Sequence, residues 1–372
     1  MSRIRVAITT HLFPSEVTEL SGPWLAEQAD ALGEHCDVTV LAALRECSSR
    51  DVVRTSGVHV AYRPTRVVGG SGRLALLTSA TRYRATAMSH FRSLSPAPDL
   101  LHAHFGFPDA VIAAPVARKL GIPLVVTLHG DDAFSLLGRK DLLGLWMRHA
   151  LASAAAIVCV SPAVEDATRE AMGRRTRVLT IENGYDDCLF RVDEGVVRDG
   201  GILFAGTLTP VKNIDVLLRA FASLGTCETL TIAGDGPLRT ALEQLAAELG
   251  VGSRVTFTGV LDRAKTARLM QRSRALAIPS KSEAWGMVAA EALACGTPVV
   301  ASRVGGLPRI VASPDAGVLV EPGSVQALAG ALRDVLSRSL DPTVVAASSG
   351  SGSWRARAAD IVALYREVLG AG

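Results

Sequence analysis

The stretch Pro279–Ala301 reads PSKSEAWGMVAAEALACGTPVVA, and its pattern decides the fold class. A short apolar run, Ala275–Ile278, ends at Pro279 and reads as a buried strand. A polar loop then carries Glu283, and a helical stretch from about Met287 to Ala294 carries Glu291. Gly296 stops that helix, and Pro298–Ala301 starts the next strand. The two carboxylates stand eight positions apart. In one continuous helix that spacing would separate them by about 12 Å, but with Glu283 in the loop both reach one ligand from different sides. Between them the free N–H groups of Trp285, Gly286 and Met287 form a helix N-terminus, which suits an anion. Carboxylates suit hydroxyls. A ligand with phosphates for the amides and sugar hydroxyls for the carboxylates is a sugar nucleotide.

Strand and helix alternate throughout the second half of the chain. Ile202–Ala205, Thr229–Ala233 and Arg254–Thr258 read as strands, with helices opening near Asn213, Pro237 and Asp262. Two of the connecting turns stand out. Gly206-Thr207-Leu208-Thr209-Pro210-Val211-Lys212-Asn213 carries a lysine, and a lysine on a phosphate stabilises a leaving nucleoside diphosphate as charge develops on it. Gly234-Asp235-Gly236-Pro237 sits at a strand-to-helix junction with proline opening the helix, which suits close backbone approach to a nucleotide and equally a plain tight turn.

The first half reads the same way. Arg5–Thr9 is a buried strand, and its loop runs through Ser21-Gly22-Pro23 to a helix from about Trp24 to Leu32. Gly22 would let backbone approach a phosphate, or would simply make a turn. Asp99–Phe105 and Pro123–Leu128 are strands on either side of a helix from about Pro108 to Leu120, and both end in histidine: His102 and His104 on one, His129 on the other. Ligands of parallel sheets bind beyond the carboxyl ends of strands, where a histidine can donate or accept a hydrogen bond. Asp131 and Asp132, next to each other after His129-Gly130, read as a helix N-cap and a first-turn charge. Ser161-Pro162 is a cap followed by proline at the first helical position, and Glu182-Asn183-Gly184-Tyr185-Asp186, then Phe190, closes the half.

Bulk properties bound the rest. With 372 residues, 48% hydrophobic and 20% charged, the chain has room for two cores and is no disordered polymer. A net charge of +3 makes no case for nucleic acid as a partner. Cys36, Cys47, Cys159, Cys188, Cys227 and Cys295 show no metal-like spacing and read as buried thiols of a reducing compartment. The start lacks a leader's long apolar region, and no apolar run reaches the roughly 18 residues of a membrane span. A cytoplasmic location is expected. Val52–Pro98 holds Arg54, Arg63, Arg66, Arg73, Arg82, Arg84 and Arg92 without one acidic residue, and Arg73–Arg92 looks helical. Such a segment would suit peripheral contact with an anionic membrane, although Leu74, Leu77, Met88 and Phe91 make a poor amphipathic face, and a solvated helix reads as well.

The Glu283…Glu291 element closely resembles the E-x7-E element of the retaining glycosyltransferases of family 4. His129-Gly130-Asp131-Asp132 resembles their H-G-x-D element, and Asn183 to Phe190 resembles their N-G-V-D…F segment. Gly206 to Asn213 resembles G-R-L-x-x-x-K-G, and Gly234 to Pro237 resembles G-D-G-P. The resemblance covers nearly the whole chain and is strongest over 202–320. It implies a GT-B fold: α/β, two Rossmann-like parallel-sheet domains facing across a cleft, with the C-terminal helix returning to the N-terminal domain. The expected division is 1–187 for an acceptor domain, 188–200 for a linker, 201–352 for a nucleotide-sugar domain and 353–372 for the crossover helix. Ser337–Ser353, rich in small residues, is expected to be loose.

By the same resemblance the protein is a retaining hexosyltransferase that uses a nucleoside-diphosphate sugar, a UDP-sugar ahead of GDP-mannose. Lys212, with Gly206 and Thr207, would bind the diphosphate. Glu291 would bind the ribose, with Gly234 nearby, and Glu283 with the amides of Trp285, Gly286 and Met287 would hold the hexose and phosphate. His129 would contact the sugar, Gly22 the donor phosphates, and His104 and Asn183 the acceptor side. Neither cofactor nor metal is implied. The acceptor would be a lipid-linked saccharide, towards which the basic segment tilts the reading, or a small molecule. Two positions depart from the family pattern: Thr207 stands where arginine is usual, and Gly305-Gly306-Leu307-Pro308-Arg309 has arginine for glutamate. Arg309 or Lys281 is expected to return some of the positive charge missing at Thr207. Three rivals are weaker. A sugar-nucleotide epimerase has no reason to keep both motif pairs, a nicotinamide oxidoreductase would need G-x-G-x-x-G after its first strand, and a non-catalytic glycan- or lipid-binding protein would be expected to lose Glu283, Glu291 or Lys212.

Overall fold

The computed structural model describes residues 3–17, 21–44, 47–65, 73–173, 176–225 and 228–370, with side chains left aside over 73–80. Arg66 and Cys227 lie outside the described residues, as do the side chains of Arg73, Leu74 and Leu77. The chain divides into two compact units, Met1–Gly184 with Trp354–Gly372, and Tyr185–Ser353.

The first unit holds β1 (Arg5–Thr10), α1 (Pro23–Gly33), β2 (Asp37–Leu44), β3 (Arg50–Val53), β4 (His59–Pro64), α2 (Arg73–Ser93), β5 (Leu100–His104), α3 (Val111–Leu120), β6 (Leu124–Leu128), α4 (Leu142–Ala152), β7 (Ala156–Cys159), α5 (Pro162–Met172) and β8 (Val178–Thr180). Its sheet runs β3-β4-β2-β1-β5-β6-β7-β8, and every pair is parallel except β3 with β4. The central strands are buried because helices cover both faces of a parallel sheet: β5 and β6 are buried at every residue, with His102, His104 and Thr127 among them. The C-terminal helix, Trp354–Val368, belongs to this unit. Tyr365 is fully buried and its hydroxyl bonds His102 Nδ1 at 2.6 Å, while Arg357 donates to Glu182 at 2.8 Å. The returning last helix is therefore as expected.

The second unit holds β9 (Ile202–Ala205), α6 (Ile214–Ala222), β10 (Leu230–Ala233), α7 (Arg239–Glu248), β11 (Val255–Gly259), α8 (Arg263–Arg272), β12 (Ala275–Ile278), α9 (Met287–Ala294), β13 (Val299–Ser302), α10 (Leu307–Ile310), β14 (Gly317–Val320), α11 (Val325–Ser337) and α12 (Pro342–Ala347). Its sheet, β11-β10-β9-β12-β13-β14, is parallel throughout. The core lies between β9, β10 and β12 and the faces of α6, α7 and α11, with Phe204, Leu217, Phe221 and Leu332 at its centre.

Three expectations need correction. Ser337–Ser353 is not loose: Asp341 caps α12 by accepting from the Thr343 amide at 2.8 Å, Pro342 opens the helix, and Val345 is fully buried. The helix expected from Pro108 begins at Val111, because Gly106–Ala110 forms a wider turn. The cysteines are not uniformly buried, since Cys188 is exposed. Burial lifts the thiols of Cys36 to about 11 and of Cys159 and Cys295 to about 12, so these three are inert. In the basic segment, α2 turns Tyr83, Ala87 and Phe91 into the core, Asp30 pairs with Arg54 and Asp51 with Arg63, and Arg82, Arg84 and Arg92 are exposed. Asp51 itself lies just before Val52. Among the described residues no helix is long and apolar enough to cross a membrane.

Candidate active site

In the second sheet the strand order reverses between β9 and β12, which pair directly. Open parallel sheets bind ligands at such a reversal, beyond the strands' carboxyl ends. Lys212 comes from the loop after β9, in the tight turn Pro210–Lys212. Glu283 comes from the loop after β12. The structure brings them together: Lys212 Nζ donates to Glu283 Oε1 at 2.5 Å, and Ser280 Oγ donates to the same oxygen at 2.7 Å. The two loops are also tied through backbone, the Lys281 amide donating to the Val211 carbonyl at 2.8 Å.

Close backbone packing holds both loops, and glycine is what permits it. At Gly234, with φ +139, a Cβ would stand 1.9 Å from the Gly206 carbonyl oxygen. The Leu208 amide, two residues on, donates to the Asp235 carbonyl at 2.9 Å. At Gly305, with φ +55, a Cβ would stand 1.5 Å from the Glu283 carbonyl oxygen. The Gly305-Gly306 turn thus buttresses the loop that carries Glu283. Trp285 is buried there, and its indole N–H meets no acceptor among the described residues. Gly286 takes the left-handed cap position of α9, and Met287 is the first helical residue, as the sequence implied.

Glu291 sits apart from the Lys212–Glu283 pair in its contacts. It is buried on α9 and accepts from Arg263 Nη1 of α8 at 3.0 Å, and the Arg263 guanidinium lies over the Phe190 ring at 4.8 Å. Burial pushes the Glu291 carboxyl up; Arg263 pulls back against it, and the result stays raised. Sequence reading missed Arg263, because nothing local links residue 263 to residue 291. It also missed Asn213, buried with φ +55 and with its amide Nδ2 unpartnered among the described residues. A signal was present there: asparagine is the residue that most readily takes glycine's left-handed place. Thr207 is exposed, and so is Arg309 on α10.

The first sheet reverses its order between β1 and β5. Beyond these strands His104 and His129 meet, Nδ1 to Nε2 at 3.1 Å, with stacked rings. His102 lies one layer deeper, between Tyr365 and Thr127 Oγ1 at 2.8 Å. Burial drives all three imidazoles down, His102 and His129 to about 3 and His104 well below its ordinary value. They are neutral donors and acceptors. Asp131 and Asp132 do not divide as cap and first-turn charge. Asp131 is exposed and makes no side-chain cap, whereas the buried Asp132 carboxylate accepts from the amides of Gly106, His129, Gly130 and Ala133 at 3.0, 3.1, 2.9 and 3.1 Å. It fixes the His129 turn against the turn after β5. Gly22 caps α1 with φ 67, and Asn183 is buried. Among the described residues one group, Asp186, Asp187 and Cys188, brings potential metal-ligand atoms within 4.8 Å of one another, on the partly exposed start of the second unit.

Comparison with known proteins follows the same division. Residues 195–346 match the family model of the glycosyl transferases group 1, and residues 24–188 match that of Glycosyltransferase Family 4. Over 311 residues the chain is 31% identical to a D-inositol 3-phosphate glycosyltransferase of Frankia alni, covering 73% of this chain and 74% of that one. Over 244 residues it is 30% identical to the N-acetyl-alpha-D-glucosaminyl L-malate synthase of Bacillus anthracis, 62% of this chain and 63% of that one. The chain spans about six tenths of the length of the curated relatives it first matches, 61% and 63%. Among solved structures, the Anabaena HepE protein in complex with UDP and glucose superposes with a TM-score of 0.75 at 21% identity, over 98% of this chain and all (100%) of that one.

Proposed function

We propose that this chain, which belongs to the group 1 and family 4 glycosyltransferases and has their GT-B fold, moves a hexose from a nucleoside-diphosphate sugar to an acceptor hydroxyl with retention of configuration. The observation that carries the reading is the Lys212–Glu283 pair at the strand reversal of the second sheet. A cation for a diphosphate and a carboxylate for sugar hydroxyls stand there side by side. In this reading Lys212 leaves Glu283 for the donor's phosphates, with the amides of Trp285, Gly286 and Met287 meeting the same charge at the head of α9. Glu283 then accepts from the hexose hydroxyls and Glu291 from the ribose. His129, a neutral imidazole, hydrogen-bonds the sugar.

The acceptor attacks on the face from which the diphosphate leaves, and a phosphate oxygen takes the acceptor's proton. The C–O bond to the diphosphate breaks as the new glycosidic C–O bond forms. Charge on the leaving group is met by Lys212 and backbone amides, so the reading calls for no metal. A UDP-sugar is the favoured donor, supported by a structural neighbour solved with UDP and glucose, and GDP-mannose is second. Relatives named for inositol 3-phosphate and L-malate support a small hydroxylated acceptor, with a lipid-linked saccharide as the alternative.

The test is a thermal-shift panel of UDP-glucose, UDP-N-acetylglucosamine, UDP-galactose and GDP-mannose on the wild type and on Glu291→Ala. A ligand that binds only the native state raises its melting temperature by mass action. One donor should stabilise the wild type and lose much of that effect in the variant. If no donor moves the wild type, the transferase reading fails.

A further inference from the structure

One imidazole at the first sheet's strand reversal is unlike the others. His11 follows β1, and Asp109 lies in the turn after β5, so the two side chains come from the carboxyl ends of the adjacent strands between which the order reverses. His11 Nδ1 meets Asp109 Oδ2 at 2.5 Å. The other oxygen, Oδ1, accepts from the Tyr83 hydroxyl of α2 at 2.6 Å, and that hydroxyl bonds Thr9 Oγ1 at 2.7 Å. Asp109 and Tyr83 are both fully buried (0% exposed), while 28% of the His11 side chain is exposed. The buried carboxylate therefore occupies the Nδ1 edge, and the exposed edge is that of Nε2. Edge-to-face contact with Phe105, 4.8 Å between ring centres, holds the plane of the ring.

Charge sets His11 apart from its neighbours. Burial pulls it down as it does His102, His104 and His129, but the Asp109 charge and hydrogen bond more than offset this, with Asp132 adding to them, and the imidazole is left easier to protonate than a free histidine. The groups facing it are Asp109 from the turn after β5, Asp132 and neutral His129 from the turn after β6, and Tyr83 from α2. A neutral His11 that donates its Nδ1–H to Asp109 keeps a lone pair on Nε2, and a proton taken up there leaves a charge compensated on its inner edge and open to an anion on its outer one.

We propose that His11, its Nδ1–H held by Asp109, takes up a proton at its outward Nε2 on receiving an acidic group of the acceptor substrate, a carboxylate or a phosphate. The assignment rests on the transferase reading and deepens it: the acceptor is a hydroxyl compound that also carries a negative charge. Asp109 and Tyr83 are positioning residues, fixing which ring nitrogen points out.

The probe is inorganic phosphate, with succinate as its carboxylate counterpart, titrated into the intact chain labelled with nitrogen-15 histidine. His11 is assigned by the resonance lost in His11→Gln. Phosphate should move its Nε2 signal towards the imidazolium position, with no such response at His11 in Asp109→Asn and an undiminished one in Lys212→Ala. Succinate acting in place of phosphate would make the acidic group a carboxylate. A His11 signal silent to both probes overturns the proposal, and so does a response that vanishes in Lys212→Ala, which would place the anion at the donor site. Donor thermal shift on the same samples keeps the two readings separate: a stabilising sugar nucleotide with a silent His11 sinks the acceptor site alone. In a transfer assay His11→Gln should raise KM for an acidic acceptor about tenfold or more, the loss of one charge-assisted hydrogen bond, with kcat and the KM of a neutral acceptor unchanged. Equal losses on both acceptors would overturn the proposal.

Discussion

The two sheets of this protein reverse their strand order at corresponding places and equip the reversals differently. Between β9 and β12 stand an ammonium and a carboxylate in direct contact, Lys212 with Glu283. Beyond β1 and β5 stand imidazoles, three of them kept neutral by burial. The charged reversal is half open, with side chains 26% and 13% exposed, so the pair can be parted by a ligand that offers phosphate to one partner and hydroxyls to the other. At the imidazole reversal His102 bonds Tyr365 of the C-terminal helix, and His11 pairs with the buried Asp109.

Acid is the harshest way to break this comparison. A buried histidine whose folded value lies below its unfolded one stabilises the fold above the unfolded value, and that stability is lost as pH falls. For His102 and His129, at about 3 folded against roughly 6.5 unfolded, the loss begins near neutrality. At pH 5 each imidazole that stays neutral weakens protection of its surroundings by a factor of about thirty. Glu291 has the opposite sign: its folded value is raised, so its contribution is full at low pH and declines as pH rises through that value. Hydrogen exchange, corrected for intrinsic rates, should therefore show β5 and β6 losing protection from pH 7 to 5 while α9 holds or gains. Equal losses in both units would break the distinction.

Removing the ammonium tests the other reversal, through catalysis and not through stability. Lys212→Ala should lower kcat by about 10²–10³-fold, the scale of losing one preorganised group at a developing negative charge. The melting temperature should hardly move, because a partly exposed ion pair contributes about 0–1 kcal/mol. Glu291→Gln should cost less, about tenfold in donor affinity, with the guanidinium of Arg263 losing its carboxylate. A fall in kcat at unchanged donor affinity would contradict a ribose role.

How far these features were legible depends on how local their causes are. Strand β12 and helix α9 were readable to the residue: an apolar run ending at Pro279, a glycine before the helix and another after it act within a few positions. The cap at Ser161 was readable for the same reason, whereas the return of the last helix was implied by the family resemblance. Arg263 was not readable, because its pairing with Glu291 is made by α8 packing beside α9, across 28 residues. Asp132 looked like a first-turn charge because its neighbours in sequence allow one, yet the Gly106 amide, 26 residues away, drew its carboxylate inward. The π-type turn at Gly106–Ala110 and the short helix behind Asp341 were hidden by composition that reads as loop. His11 was passed over although it lies in the first loop, since only the fold reveals Asp109 behind it.

The smallest expected effect concerns the missing arginine. Thr207 is exposed at the mouth of the Gly206–Asn213 loop, whose backbone is already set by the Thr209 amide donating to the Thr207 carbonyl at 2.9 Å. A side chain added there meets no packing constraint, so Thr207→Arg should fold as well as the wild type. If diphosphate binding rests on Lys212 and the amides at the head of α9 alone, a second cation adds a partly screened interaction of about 0.5–1 kcal/mol, a gain of two- to fivefold in donor affinity that fades at high salt. A gain of a hundredfold would mean that the charged reversal is incomplete as it stands. No gain would mean that the charge is returned from elsewhere, and Arg309→Ala in the same background then separates Arg309 from Lys281: donor affinity should fall only if Arg309 supplies it.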